Sequence, residues 1–146
     1  MIAYIDSSFL VRAYLVDESD HENVNGILSD PELAAITGTW TRIEVSGALV
    51  RAARTGGGDE QGLLALLDAE LGPEGAITVV AAAQEEVETR ALALVRAHGL
   101  RAMDAWHLAV AEMVIPELVE PGEPVVFASP DRDQTEVAKT LGFQTL

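Results

Sequence analysis

The 146-residue sequence contains no cysteine. That excludes a disulfide framework, a zinc–thiolate site, an iron–sulfur cluster and a cysteine nucleophile, and it suits a reducing compartment. Long hydrophobic runs are also missing. The longest, Ala76–Ala83 with Thr78 inside it, falls far short of the roughly 20 residues a membrane helix needs. The N-terminus has no basic region and meets Asp6 early, so it does not read as a signal peptide; the expectation is a cytoplasmic protein with no membrane partner. Gly56–Gly58 follows a helical segment and lacks the Gly-Lys-Ser/Thr ending of a phosphate loop, and no Gly-x-Ser-x-Gly nucleophile elbow exists. Positive charge is scarcest of all. Nine Lys+Arg, with Lys139 the one lysine, stand against 24 Asp+Glu, for a net charge of −15. Such a surface repels phosphate backbones, which nearly excludes a nonspecific nucleic-acid coat protein.

What is present is a hydrophobic fraction of 49%, too high for global disorder. A chain of this length buries roughly 68–70% of its unfolded surface, and with no repeat or linker the expectation is one domain over residues 1–146. Ile2–Ile5, Leu33–Thr37, Ala76–Val80, Val125–Ala128 and Phe143–Leu146 read as strands. Ser7–Val16 (with Ser7 as N-cap), Asp20–Leu28, Thr41–Thr55, Asp59–Leu71, Gln84–His98, Asp104–Ile115 and Asp131–Leu141 read as helices. In the Asp59–Leu71 helix, Leu63, Leu64, Leu66 and Leu67 point to the core, whereas Asp104–Ile115 is apolar nearly all round and is predicted to be largely buried. Pro116–Pro124 reads as a loop. Strands alternating with helices imply an α/β fold with a mostly parallel central sheet.

Ligands gather outside the carboxyl ends of parallel strands. Asp6 closes the first strand, Asp131 follows the fourth, Asp104 opens the apolar helix, and Glu44 lies in the first turn of the Thr41–Thr55 helix. Each acid alone also has a simpler reading as an N-cap or a first-turn residue favoured by the helix dipole. Together in one pocket they repel, at about 4 kcal/mol per pair at 4 Å and an effective dielectric near 20. Such a cluster makes sense if it shares protons or holds a hard divalent cation. Magnesium suits an all-carboxylate set, and one or two such ions activate water toward a phosphodiester. Arg42, Arg51 and Arg54 against Glu44 make Thr41–Gly58 the one long stretch of positive sign. Arg51, seven residues beyond Glu44, shares its helix face and is a candidate to hold a phosphate. His107, one turn after Asp104, reads as a core residue with one hydrogen bond, and Trp40 and Trp106 as core or interface residues. His21 and His98 suggest no chemistry.

The segments Ile2-Ala-Tyr-Ile-Asp-Ser-Ser, Thr41-Arg-Ile-Glu-Val, Leu100-Arg-Ala-Met-Asp-Ala-Trp-His-Leu-Ala and Phe127-Ala-Ser-Pro-Asp-Arg-Asp stand in the order and spacing of PIN-domain nucleases. From residue 2 to the region of Gly142 the chain resembles the VapC-type toxins of type II toxin–antitoxin systems. The resemblance implies a PIN-like three-layer α/β/α sandwich and an Mg2+- or Mn2+-dependent endoribonuclease that hydrolyses RNA phosphodiester bonds by metal-activated water. It also implies a cognate antitoxin, basic to suit the −15 charge, and a homodimer. Asp6, Glu44, Asp104 and Asp131 match the family's metal-binding and catalytic acids, with Asp133 the alternative to Asp131. Ser8 and Ser129 match its hydroxyl positions near the substrate. Gln134 departs from the pattern, standing where the family usually has an apolar residue. Apolar antitoxin residues are expected to dock over Phe9, Tyr14 and Val24. Alternative readings are a PIN-fold binding module without turnover, a receiver-like phosphorylation switch, and a phosphatase with an Asp nucleophile. The last two fit less well: the Ile77–Val80 strand ends in Ala81–Ala83 where a receiver needs its phosphoacceptor, and Ser8 stands where the phosphatase needs an Asp.

Overall fold

The computed structural model describes residues 1–146. The elements run β1 (Ile2–Ile5), α1 (Ser7–Tyr14), α2 (His21–Leu28), β2 (Ala34–Gly38), α3 (Thr41–Gly56), α4 (Glu60–Glu70), β3 (Ile77–Val80), α5 (Gln84–His98), α6 (Ala102–Leu118), β4 (Val125–Ala128), α7 (Arg132–Thr140) and β5 (Gln144–Thr145). One sheet of order β3-β2-β1-β4-β5 joins all five strands, and every pairing is parallel. The expected "mostly parallel" sheet is therefore wholly parallel. No helix is long and apolar enough to cross a membrane.

Side chains alternate across a strand, and β1 uses both faces. Ala3 and Ile5 pack with Phe9, Leu10, Val45, Leu49 and Leu67 of α1, α3 and α4. Tyr4 points the other way, to Val87, Leu94, Leu108, Ile115 and Val137 of α5, α6 and α7. Two apolar layers on one sheet make the three-layer α/β/α arrangement. Helix α6 supplies seven buried residues, among them Leu108, Ala109, Val110 and Ala111, as its all-round apolar sequence requires.

Several local expectations need correction. Asp6, not Ser7, caps α1: its carboxylate accepts the Ser8 N–H, and Ser7 is a buried first-turn residue. Either side chain can cap a helix, but the Ser7 hydroxyl turns inward to Glu44. Leu66 is 49% exposed, because the stripe facing the sheet runs through Leu63, Leu64, Leu67 and Leu71. Pro116 lies inside α6, not in a loop; the helix still closes, with Val119 N–H donating to Ile115 O. Phe9, Tyr14 and Val24 are buried in the core, so they offer no docking surface. The apolar stripes of α1 and α2 are the ones that cover the sheet. Of the two readings of Trp40, core or interface, the first fails: it is 46% exposed and tilted against Trp106.

Gly38 ends β2 beneath the α6 face. A Cβ there would stand 2.6 Å from Tyr4 Oη and 2.7 Å from the Trp106 ring, so the missing side chain lets Tyr4 reach α6. Tyr4 and Tyr14 are the two tyrosines of the chain. Burial raises both hydroxyl pKa values; the charge of Asp6 adds to it at Tyr4, and the hydrogen bond to Glu70 adds to it at Tyr14. An unfolded tyrosine ionises near pH 10, whereas these two stay protonated in the fold well above that. Stability is thus intact below about pH 10 and falls above it, by about 1.4 kcal/mol per pH unit for each tyrosine once the unfolded chain is ionised. Urea melts between pH 8 and 12 should show this decline, and Tyr14→Phe should make it about half as steep.

Candidate active site

The strand ends and helix starts place all four expected acids on the carboxyl edge of the sheet. Asp6 leaves β1, Glu44 sits in the first turn of α3, Asp104 in the first turn of α6, and Asp131 is the N-cap of α7. They do not merge into one cluster: no group of three His, Asp or Glu side chains stands ready to hold an ion. They form two arms instead, each closed by a positively charged or donor group.

One arm is buried. His107 Nε2 lies 2.6 Å from Glu44 Oε1 and 3.7 Å from Asp6 Oδ1. Ser7 Oγ donates to Glu44 Oε1 at 2.8 Å. A carboxylate only accepts, so Nε2 carries a proton, and Tyr4 Oη meets the other ring nitrogen at 2.8 Å. Burial alone would raise the Glu44 carboxyl; the hydrogen bond and charge of His107, with the Ser7 bond, outweigh it and hold the pKa below the usual range. His107 is buried as expected, but with several polar partners where one was expected.

The other arm lies at the mouth of a cleft of ≈ 570 Å3. Arg101 Nε donates to Asp104 Oδ2 at 2.9 Å and Arg101 Nη2 to Asp131 Oδ2 at 3.0 Å. The Asp104 and Asp131 side chains are 19% and 29% exposed. Burial pushes the Asp104 carboxyl up, Arg101 pulls it down, and the charges of Asp6 and Asp131 push it up again; the balance is upward. A shared cation would oppose that upward push, of which burial is the larger part and the neighbouring charges the smaller.

Gln134 joins the two arms. It is fully buried, and its Nε2 donates to Asp6 Oδ1 at 3.3 Å and to the Asp104 carbonyl at 3.1 Å. Its Oε1 accepts from Ser129 Oγ at 2.6 Å, and its backbone N–H donates to Asp131 Oδ1 at 2.9 Å. The residue that breaks the family pattern thus meets both arms. Its polar side chain on the buried stripe with Val137 and Ala138 was the signal available in the sequence.

The remaining candidates sort by contact. Ser8 donates to Asp6 through both its N–H and its hydroxyl. Ser129 is buried, accepts the Asp131 N–H and faces Gln134, not the open cleft. Asp133 lines the cleft beside Asp131 but makes no hydrogen bond to the other acids. Arg51 is exposed, with Nη1 folded back to 3.1 Å from the Cβ position of Gly47, and pairs with no acid. Arg42 and Arg54 are spent on Asp68 and Glu60.

A family model described as the PIN domain matches residues 3–139. The chain belongs to the PIN-domain family. Its fold is similar to that of the Mycobacterium tuberculosis VapC20, a sarcin–ricin loop cleaving toxin, with a TM-score of 0.64 and 16% identity over 97% of this chain and 96% of that one. It is similar also to VapBC-1 from nontypeable Haemophilus influenzae, with a TM-score of 0.59 and 12% identity over 100% and 97% of the two chains. VapBC2 from Rickettsia felis, bound to a DNA fragment from its promoter, gives 0.61 and 12% over 100% and 99%. No curated protein matches the chain at a significant level. The receiver-like reading fares no better on the structure, since Lys139 pairs with Glu136 on the outside of α7.

A divalent cation of the kind PIN-domain nucleases use fits this donor set on two counts. The donors are all carboxylate oxygens, the hard ligands such ions prefer. Asp104 also keeps a carboxyl raised by burial, with the charges of Asp6 and Asp131 adding to it, which a divalent charge would reverse.

If Gln134 is the bridge, replacing it has an ordered cost. Gln134→Leu leaves the buried Ser129 hydroxyl and Asp6 short of a partner, a loss of about 1–3 kcal/mol. Gln134→Glu should be worse, because it sets a like charge against Asp6. Urea denaturation of the two variants measures this order, and equal losses would contradict the bridge.

Proposed function

We propose that this PIN-domain protein is a divalent-metal-dependent endoribonuclease, the toxin of a toxin–antitoxin pair. The observation that carries the reading is the gathering of Asp6, Glu44, Asp104 and Asp131 on one sheet edge, where burial, with the charges of Asp6 and Asp131 adding to it, raises the Asp104 carboxyl. Asp6, Asp104 and Asp131 would hold Mg2+, with Mn2+ a working substitute, and Glu44 would complete the set beside Asp6. Asp133 stands next to Asp131 in the same cleft and would serve as an outer contact.

When bound, a divalent cation lowers the pKa of an attached water and neutralises charge developing on a phosphodiester. This chain's own residues then have distinct tasks. His107 and Ser7 keep Glu44 ionised and aimed at the sheet edge. Ser8 and Gln134 fix the two oxygens of Asp6. Ser129 orients Gln134, and so supports the acids rather than touching substrate. Arg51, unpaired on the face of α3, remains available to an RNA phosphate.

A −15 protein gains from a partner of opposite sign. Two of the structural neighbours are VapBC complexes, and the corresponding partner here would be a basic antitoxin. The function is tested with purified full-length protein on structured RNA. Cleavage should require Mg2+ or Mn2+ and stop with a chelator. Asp104→Asn should lower the rate by more than the roughly 10–100-fold that loss of a residue merely supporting a ligand costs, with an unchanged fold by circular dichroism. Cleavage that survives the chelator or Asp104→Asn would overturn the reading.

A further inference from the structure

Arg101 is the one arginine or lysine that pairs with any of the four acids. It bridges two carboxylates from different elements, α6 and the N-cap of α7, the second of them 30 residues from Arg101 in sequence. The bond to Asp104 alone would be an ordinary i,i+3 surface pair, which contributes little. The bridge to Asp131 is different, because it joins two elements and takes the oxygen that does not cap α7. Asp131 Oδ1 is committed to capping α7 through the Gln134 N–H. Its other oxygen, Oδ2, is the one Arg101 holds. A cation that takes Asp131 as a ligand meets a guanidinium already bonded to that carboxylate, and two positive groups repel there.

The same guanidinium is poorly anchored otherwise. The Arg101 side chain is 78% exposed, the residue has the extended backbone of an N-cap, and Gly99 just before it is left-handed. The side chain thus keeps the freedom to swing out from the cleft that it, Asp104 and Asp131 line. Its single charge leaves one negative charge uncompensated on the Asp104–Asp131 pair, whereas a divalent ion compensates both.

We propose that Arg101 is a built-in counter-ion that holds the Asp104–Asp131 arm together until a divalent cation displaces it, after which its guanidinium grips an RNA phosphate at the rim of the cleft. The planar fork that now spans two carboxylate oxygens suits a phosphate equally well. In a chain of net charge −15, a cation released beside the acids is where substrate needs it. Arg101 is thereby a positioning residue before the metal enters and a substrate-binding one afterwards. This rests on the metal-nuclease reading above.

The test compares full-length wild type, Arg101→Gln and Arg101→Lys. Mn2+ alone is titrated into each by calorimetry, and RNA cleavage is then followed at saturating Mn2+. Arg101→Gln should bind Mn2+ several-fold more tightly than wild type, with Arg101→Lys between them. It should also raise KM for RNA by roughly tenfold, with a smaller change in kcat. Mn2+ affinity that is unchanged or weaker in Arg101→Gln overturns the counter-ion role, and an unchanged KM overturns the phosphate role. Both results leave the nuclease reading standing. Wild-type protein that binds no Mn2+ sinks that reading and this inference with it.

Discussion

Carboxylate repulsion at the C-terminal edge of the sheet is the constraint around which the site is built. A wholly parallel sheet delivers its strand ends and the following helix starts to one edge, and here those positions carry Asp6, Glu44, Asp104 and Asp131. Like charges so placed cost several kcal/mol per close pair unless something answers them. Each acid is answered. Glu44 has a buried imidazole and a serine hydroxyl, Asp6 the N-terminus of α1 and a buried amide. Asp131 has the N-terminus of α7, and Asp104 shares Arg101 with it. The buried arm is answered permanently by groups locked in the core. The cleft arm is answered by one exposed side chain, which leaves that arm free to accept another cation.

The strands and the four acids were legible in the sequence because each depends on local pattern. A buried parallel strand is a short apolar run, and an acid at its end marks the edge. The apolar surround of α6 announced a buried helix. What local pattern does not carry is the choice of distant partner. Gln134 meets Asp6 across 128 positions and Arg101 meets Asp131 across 30; the sequence shows an amide on a buried stripe and an arginine before a helix, and no more. The same limit explains Leu66, since four leucines within five positions leave the facing stripe undetermined. It also explains Phe9, Tyr14 and Val24, whose amphipathic spacing is as compatible with a partner as with the sheet that in fact covers them.

The acidity of the chain acquires a structure of its own. Half of the arginines are paired with acids away from the cleft: Arg12 with Asp20, Arg42 with Asp68, Arg54 with Glu60 and Arg90 with Glu112. Few cations remain for a polyanion, and those beside the cleft and on α3 are single residues. Such a surface disfavours RNA in general and favours capture at one point. It also leaves an acidic exterior that suits a basic partner protein.

Asp6, Asp104 and Asp131 are proposed to hold a divalent cation. Anomalous diffraction at the manganese edge from crystals grown with Mn2+ tests it most directly. The expected result is a peak at the sheet edge within carboxylate ligand distance of these three acids, with Arg101 turned away from Asp131. Manganese bound elsewhere while Arg101 still bridges Asp104 and Asp131 would contradict it.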